Sequence, residues 1–308
     1  MKIINSFCSI ILCLSISVFI SYNIYLQKHS DSEGPIISMD SDTIEISVED
    51  KKAALLQGVT AYDNKDGDVT ASVGIESLSD FDEDGYRIVH YVAFDSNNNV
   101  SKKSRKMKYR DYKKIVFSLD SPLRFPAGQG NTDVLGAVHA EDCLDGNISN
   151  QIGFSEQSII YTSVPSDYPV TLVVTNSAGD TAILPVTVTM YDAIEEREAP
   201  KISLTNYLVY TKVGDEINPK DYIEGIEYNR VEYLVTDGRG TYDIDTSEMS
   251  NQEKKAFYEE EPSVNIDRFM IGGSVDYYTP GVYEVKYYID SPEEFRGTVN
   301  LVVVVEGE

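Results

Sequence analysis

A repeat with a period of 79 residues constrains the fold more than any other feature of this sequence. The segment LLQGVTAYDNKDGDVTASVGIESL begins at Leu55, and the segment DVLGAVHAEDCLDGNISNQIGF, which begins at Asp133, echoes it. Asp63 matches Asp142 and Asp66 matches Asp145, each at an offset of 79 residues. Because self-similarity at a fixed period indicates repeated structural units, we expect at least two copies of one small domain.

Apolar and polar side chains alternate within each copy, between clusters of Gly, Asp, Asn and Pro. A period of two is typical of β-strands that bury one face. Several short strands between regularly spaced turns predict a β-sandwich, and a repeat of about 80 residues suits a small immunoglobulin-like domain. The clearest predicted strands are 36–46, 87–94, 158–162, 170–175 and 182–190.

The chain after residue 200 opens and closes like the two copies but carries an insertion around residues 229–270. Within the insertion, Ser250 is followed three residues later by Glu253, which is the capping-box pattern of a helix start. We therefore predict a short helix on a loop, and a recognition role for it, because long surface insertions often carry function. The predicted division is a helix over 1–27, linkers over 28–34 and 193–200, and immunoglobulin-like domains over 35–113, 114–192 and 201–308.

The N-terminal segment from Ile3 to Leu26 contains no charged residue. At a rise of ~1.5 Å per residue its 24 positions span roughly 36 Å, which exceeds a hydrocarbon core of ~30 Å. We therefore expect an uncleaved single-pass anchor in the cell membrane, with the bulk of the chain extracellular, and a cleaved signal peptide is the alternative. The predicted fold class is all-β, with three tandem immunoglobulin-like β-sandwiches after a transmembrane helix.

An acidic turn is the sharpest chemical feature of the repeat. The sequence DNKDGD places Asp63, Asp66 and Asp68 within six residues, and the later turn FDSNNN brings Asp95 near them. Calcium prefers oxygen ligands of this kind, so these four residues are the candidate metal site. Asp and Asn also close turns through their own backbone, with glycine at positive φ, and this structural interpretation is favoured because the second copy has asparagine at two of the four positions. We predict no required cofactor, with calcium as the one candidate.

The repeated pattern resembles the bacterial immunoglobulin-like repeats of the pesticidal-crystal-protein type, which are relatives of the hyalin repeat. The matching residues are Gly58 to Thr70 and Val92 to Val100 in the first copy, then Val138 to Ser149 and Val173 to Thr181 in the second. The third unit lacks the DGD turn and resembles the family at its two ends only. The resemblance implies a secreted or surface-tethered array of sandwiches in a bacterium, and it implies no reaction.

The charge balance and the residue types exclude several functions. With 51 acidic against 26 basic side chains the net charge is −25, which argues against a nucleic-acid partner. The sequence has no histidine in a metal spacing, no nucleophile elbow and no glycine-rich phosphate loop, so we expect no enzyme activity. The favoured function is a stalk or binding module at the cell surface, with a cell-envelope component, a glycan or a surface protein as its partner.

Two alternatives remain from the sequence alone. One is an accessory protein whose third domain recognises a glycan or a partner protein, since aromatic rings can stack on sugars. The other is a carboxylate hydrolase within the insertion. The tyrosines that suggest glycan recognition are Tyr277, Tyr278, Tyr287 and Tyr288. The carboxylates that suggest a hydrolase are Asp243, Asp245, Glu248 and Glu259 to Glu261.

Overall fold

The computed structural model describes residues 2–29, 32–128, 133–238, 240–243, 249–259 and 262–307. The chain divides into two compact units, Met1–Tyr112 and Lys113–Glu308. Most of the described elements are β-strands, as the alternating pattern predicts. Because the compact units number two, the division into three separate domains stays a prediction.

The first unit begins with helix α1 (Lys2–His29). In the part of the chain that the structure describes, no helix combines the length and the apolar character that crossing a membrane requires. The predicted transmembrane anchor over residues 1–27, and with it the single-pass membrane localisation, is therefore wrong. The prediction rested on the length of an uncharged segment, and an uncharged helix can still carry polar groups. Ser15 Oγ donates to the carbonyl oxygen of Leu12 and Asn23 Nδ2 donates to that of Phe19, both at 2.8 Å.

Two sheets enclose the core of the first sandwich, which we define as residues 36–109. Its strands are β1 (Ile36–Met39), β2 (Thr43–Ile46), β3 (Val59–Asp63), β4 (Gly67–Asp68), β5 (Gly74–Leu78), β6 (Arg87–Phe94) and β7 (Val100–Tyr109). The sheets have the orders β1-β3-β4 and β2-β7-β6-β5. Alternate residues of β6 have no exposed surface, namely Val89, Tyr91 and Ala93, so this predicted strand and its alternation are confirmed.

The second sandwich, residues 116–191, follows the same order of strands. They are β8 (Val116–Leu119), β9 (Arg124–Pro126), β10 (Val138–Asp142), β11 (Gly146–Asn147), β12 (Gly153–Phe154), β13 (Ser166–Thr175) and β14 (Thr181–Tyr191). The sheets have the orders β11-β10-β8 and β12-β13-β14-β9. The strand predicted over 158–162 is wrong, since those residues form turns and irregular backbone before β13.

The third sandwich, residues 201–306, follows the short helix α2 (Glu195–Glu198). Its elements are β15 (Lys201–Leu204), β16 (Leu208–Lys212), β17 (Ile223–Tyr228), β18 (Val231–Thr236), α3 (Asn251–Glu259), β19 (Ser263–Asn265), β20 (Met270–Gly272), β21 (Gly281–Asp290) and β22 (Arg296–Glu306). The sheets have the orders β15-β17-β18-β19 and β16-β22-β21-β20. The predicted capping box is confirmed, because the Ser250 amide donates to Glu253 Oε2 at 2.9 Å and the Glu253 amide donates to Ser250 Oγ at 3.3 Å.

The second and third sandwiches share part of one hydrophobic core. Val299, Leu301 and Val303 of β22 pack inside the third sandwich. Val302, which lies between them on the opposite face of the strand, is 3% exposed and belongs to the core cluster of the second sandwich together with Leu208. Strand β22 is therefore buried on both faces, as strands in the middle layer of a structure are.

Polar contacts reinforce this seam between the second and third sandwiches. Glu284 on β21 accepts hydrogen bonds from the amide of Thr187 at 2.7 Å and from its hydroxyl at 2.6 Å. Lys286, two residues along the same face of β21, pairs with Asp167 at 3.0 Å. Arg124 donates to Thr298 Oγ1 at 2.6 Å. Apolar burial and partly buried polar contacts thus fix the two sandwiches of the second unit against each other.

Candidate functional site

The acidic turn of the first sandwich is closed by its own backbone. Oδ1 of Asp63 accepts the amides of Lys65 at 2.7 Å and Asp66 at 3.0 Å. The Asp66 and Lys65 amides hold the pKa of the Asp63 carboxyl below its ordinary value, because they stabilise the charged form. Gly67 supplies the positive φ of 77° that completes the turn.

Asp66 connects this turn to the second predicted turn. Its Oδ2 accepts the Ser96 amide at 2.6 Å and its Oδ1 accepts the Ser96 hydroxyl at 2.9 Å. Asp95 in turn accepts the amides of Asn97 and Asn99 through Oδ1, at 2.9 and 2.7 Å. Two turns therefore contain three of the four predicted ligands, Asp63, Asp66 and Asp95. The carboxylate of Asp66 joins the two turns.

The fit of these residues to calcium is poor. Asp68, the fourth predicted ligand, turns its Oδ1 to the amide of Thr70 at 2.9 Å. The carboxylates of Asp63, Asp66 and Asp95 face N–H and O–H donors, whereas a calcium site directs several oxygens at one point. Among the described residues no group of three or more His, Cys, Asp or Glu side chains is arranged to hold a metal ion. Calcium binding at this turn stays a prediction. In the structure these carboxylates accept hydrogen bonds within the two turns and between them.

The second sandwich repeats this network, although asparagine replaces aspartate at two of the four positions. Asp145 accepts the amide and the hydroxyl of Ser177 at 2.6 and 2.7 Å, as Asp66 does from Ser96. Asn176 stands where the first copy has Asp95, and its Nδ2 donates to Oδ2 of the buried Asp142 at 3.0 Å. The network recurs with both an amide and a carboxylate at that position, which indicates a structural clip between turns.

We expect the clip to stabilise the first sandwich. Asp66→Ala removes two hydrogen bonds to an exposed carboxylate, and because water replaces part of their contribution we expect it to lower the free energy of unfolding by about 1 kcal/mol. Urea denaturation followed by circular dichroism measures the change, with the exposed Asp80→Ala in the same sandwich as the control. An equal midpoint for the two variants would show that the Asp66 bonds do not stabilise the fold.

The tyrosines considered for sugar stacking are mostly engaged in packing. Tyr287 has no exposed surface and its hydroxyl donates to the carbonyl of Pro219 at 2.8 Å. Tyr277 donates to the carbonyl of Ile217 at 3.2 Å. The ring of Tyr288 lies within 6 Å of the cationic groups of Lys286 and Arg296, whereas Tyr278 is 71% exposed. Of the four, only Tyr278 is exposed, and the other three are buried or half-buried.

The structure adds little on the acidic residues that the hydrolase alternative requires. The side chains of Asp243, Asp245, Glu248 and Glu259 to Glu261 lie outside the described residues. The described aromatic part of the insertion is core, since Tyr242 packs edge-on against Tyr228 and Tyr233 at ring distances of 5.7 and 5.2 Å. Burial raises the pKa of the Tyr242 hydroxyl well above its ordinary value.

A groove of about 990 Å³ lies at the seam between the second and third sandwiches. Its two walls are the start of β8 and the start of β14, and its floor is the outer face of the sheet that contains β16, β21 and β22. We call it the seam groove. Val282 and Val304 lie on the floor, and Val116 and Ile183, which are 46% and 60% exposed, lie on the walls.

One hydrogen bond ties the wall of the seam groove to its floor. The amide of Phe117 on β8 donates to the hydroxyl oxygen of Tyr210 on β16 at 2.8 Å. Burial raises the pKa of the Tyr210 hydroxyl above its ordinary value. The bond fixes the width of the groove at this point.

No local sequence pattern predicts this groove, but one pattern indicates the strand at the seam between the two sandwiches. The run Leu301 to Val305 is continuously apolar, and a continuous run predicts a strand that is buried on both faces. Alternation elsewhere in the chain predicts strands with one solvated face. The run thus marks β22 as the strand against which another layer packs.

No family model and no curated protein sequence matches this chain. The resemblance to repeats of the pesticidal-crystal-protein type therefore stays a prediction. Among solved structures, the chain is similar to CBM51-2 in complex with GlcNAc and INT domains from Clostridium perfringens ZmpB, at 20% identity and a TM-score of 0.20. That match covers 50% of this chain and 41% of the Clostridium chain.

Two further structures are similar to this chain. The protocadherin gamma-B4 extracellular domain has 11% identity and a TM-score of 0.21, covering 90% of this chain and 50% of its own. A lipoprotein from Bacteroides thetaiotaomicron has 10% identity and a TM-score of 0.23, covering 61% of this chain and 98% of its own. This chain thus spans half or less of the length of the Clostridium and protocadherin chains.

Proposed function

We propose that this chain is a non-enzymatic binding module that holds a protein ligand in the seam groove. The observation that carries the proposal is the groove itself, an open cleft with apolar and charged lining residues between two sandwiches that a shared core holds in place. Its volume of about 990 Å³ lies at the upper end of the ~300–1,000 Å³ that is usual for ligand sites. Rigid support on both sides keeps the cost of ordering the site low when a ligand binds.

The lining favours a protein ligand over a glycan. Sugar sites present exposed aromatic faces with polar groups around them, whereas the exposed apolar residues of the walls here are the aliphatic Val116 and Ile183. Of the two aromatic residues that line the groove, Phe117 is buried and the Tyr210 hydroxyl already accepts a hydrogen bond. Aliphatic walls suit the apolar side chains of a polypeptide, and their burial would supply the binding free energy.

A panning experiment tests the proposal with the full chain. We expect a displayed library of random nine-residue peptides to yield binders, and Ile183→Arg to weaken them about tenfold or more, because it removes an apolar side chain from the groove wall and puts a bulky charged one in its place. Ile159→Arg is the matched control, since Ile159 is 61% exposed in the same sandwich and does not line the groove. A glycan array is probed in parallel. Saturable glycan binding without any peptide binder would contradict the proposal.

A further inference from the structure

Resting on the proposed function, we infer that the ligand binds as an added β-strand along the edge of β14, over residues 181–185. The occupant is an extended peptide segment of a partner protein, with apolar side chains at alternate positions and little net charge. Backbone hydrogen bonds to the strand edge supply affinity in this mode, and side-chain pockets supply specificity.

The direction of the backbone groups follows from the contacts farther along β14. The amide of Thr189 donates across the strand edge to the carbonyl of Leu123, next to β9, at 2.9 Å, and the amide of Thr187 donates to Glu284 at 2.7 Å. The pairing of β14 with β13 is regular over its whole length. Since amides two residues apart on a strand point to the same side, those of Ile183 and Thr181 also point to this outer edge.

Most of this edge is already protected, and one part is not. Strand β9 pairs with Thr189 to Tyr191 only. Glu284 caps Thr187, and Pro185 has no amide hydrogen to offer, which is a usual way to close an edge. Upstream of them, the Ile183 amide donates no hydrogen bond at this outer edge to any of the described residues. The open part of the edge is thus the part that forms the wall of the seam groove.

The surroundings of this open edge fit a peptide of low net charge. Val282 and Val304 on the floor offer an apolar surface to alternate side chains of an added strand. The charged residues that line the groove balance one another, with three lysines and three carboxylates: Lys113, Lys114, Lys212, Asp180, Asp215 and Glu306. A strongly charged ligand of either sign would meet repulsion from half of them, whereas a neutral peptide with scattered charges would not.

Two substitutions at one position separate strand addition from simple burial. Ile183→Pro removes the outward amide hydrogen, and the edge accepts proline two residues away at Pro185. Ile183→Val keeps the amide and most of the apolar surface. Using a nine-residue peptide selected on the full chain, we expect Ile183→Pro to weaken binding about tenfold or more and Ile183→Val to change it about twofold or less.

A second measurement does not depend on any variant. N-methylation of the selected peptide at successive positions removes one backbone donor at a time, and we expect alternate positions to abolish binding to the parent protein. Equal binding by Ile183→Pro and by all N-methylated peptides would overturn strand addition while leaving peptide binding in the groove intact. The absence of any selected peptide would instead count against the proposed function. If circular dichroism shows that Ile183→Pro is unfolded, the N-methylated series on the parent decides.

Discussion

Replacing Val302 with Asp is expected to unfold the second and third sandwiches together and to lower their free energy of unfolding by about 4 kcal/mol or more. Val302 is 3% exposed and lies in the core cluster of the second sandwich, although it belongs to a strand of the third. A carboxylate there would be desolvated among the apolar side chains of this cluster. Urea denaturation of the full chain, followed by circular dichroism, measures the loss.

The control for this substitution is Val213→Asp. Val213 follows β16, is 38% exposed, and can keep a carboxylate hydrated. We expect its midpoint to stay close to that of the parent. Loss of the third sandwich alone in Val302→Asp, with the second sandwich still cooperatively folded, would show that the apolar contact at the seam contributes little.

Replacing Arg105 with Ala is expected to cost the first sandwich about 3 kcal/mol or more, because it removes three hydrogen bonds that a buried charged group donates. Nη2 of Arg105 donates to the carbonyls of Leu55 and Gln57, both at 2.8 Å, and Nε donates to the hydroxyl oxygen of Tyr91 at 3.0 Å. The side chain is 1% exposed, so water does not replace these bonds. Thermal unfolding of the full chain measures the change.

Two neighbouring substitutions calibrate this result. Arg105→Lys keeps the charge but lacks the planar guanidinium group that reaches three acceptors. We expect an intermediate loss in the free energy of unfolding. Lys102→Ala on the same strand removes an exposed ion pair with Glu76, which is worth about 0–1 kcal/mol. A loss no larger in Arg105→Ala than in Lys102→Ala would contradict the role of the buried guanidinium group.

Local pattern predicted much of the fold. The 79-residue repeat and the alternation predicted strand β6 to the residue, and they predicted most of β13 and β14. The capping box at Ser250 and Glu253 and the positive φ of Gly67 and Gly146 also followed from residue type. These features depend on neighbours within a few residues, where backbone sterics and short hydrogen bonds decide the outcome.

The remaining features depend on contacts between distant residues. The wall residue Ile183, the floor residue Val304 and the Phe117 amide come from three separate parts of the chain, so no local pattern brings them together. For the acidic turn the sequence favours a structural role over a candidate calcium site, and in the structure its carboxylates accept hydrogen bonds from Ser96 and nearby amides. Those donors could not be assigned from the spacing of the aspartates alone.

Hydrogen exchange of the native full chain tests the central claim, that the second and third sandwiches open as one cooperative unit. Exchange is measured amide by amide with increasing urea, which gives the opening free energy and its urea dependence for each strand. We predict that the most protected amides of β14 and β22 share one opening free energy and one urea slope. Opening of β22 at a lower free energy, while β14 stays protected, would contradict the shared core.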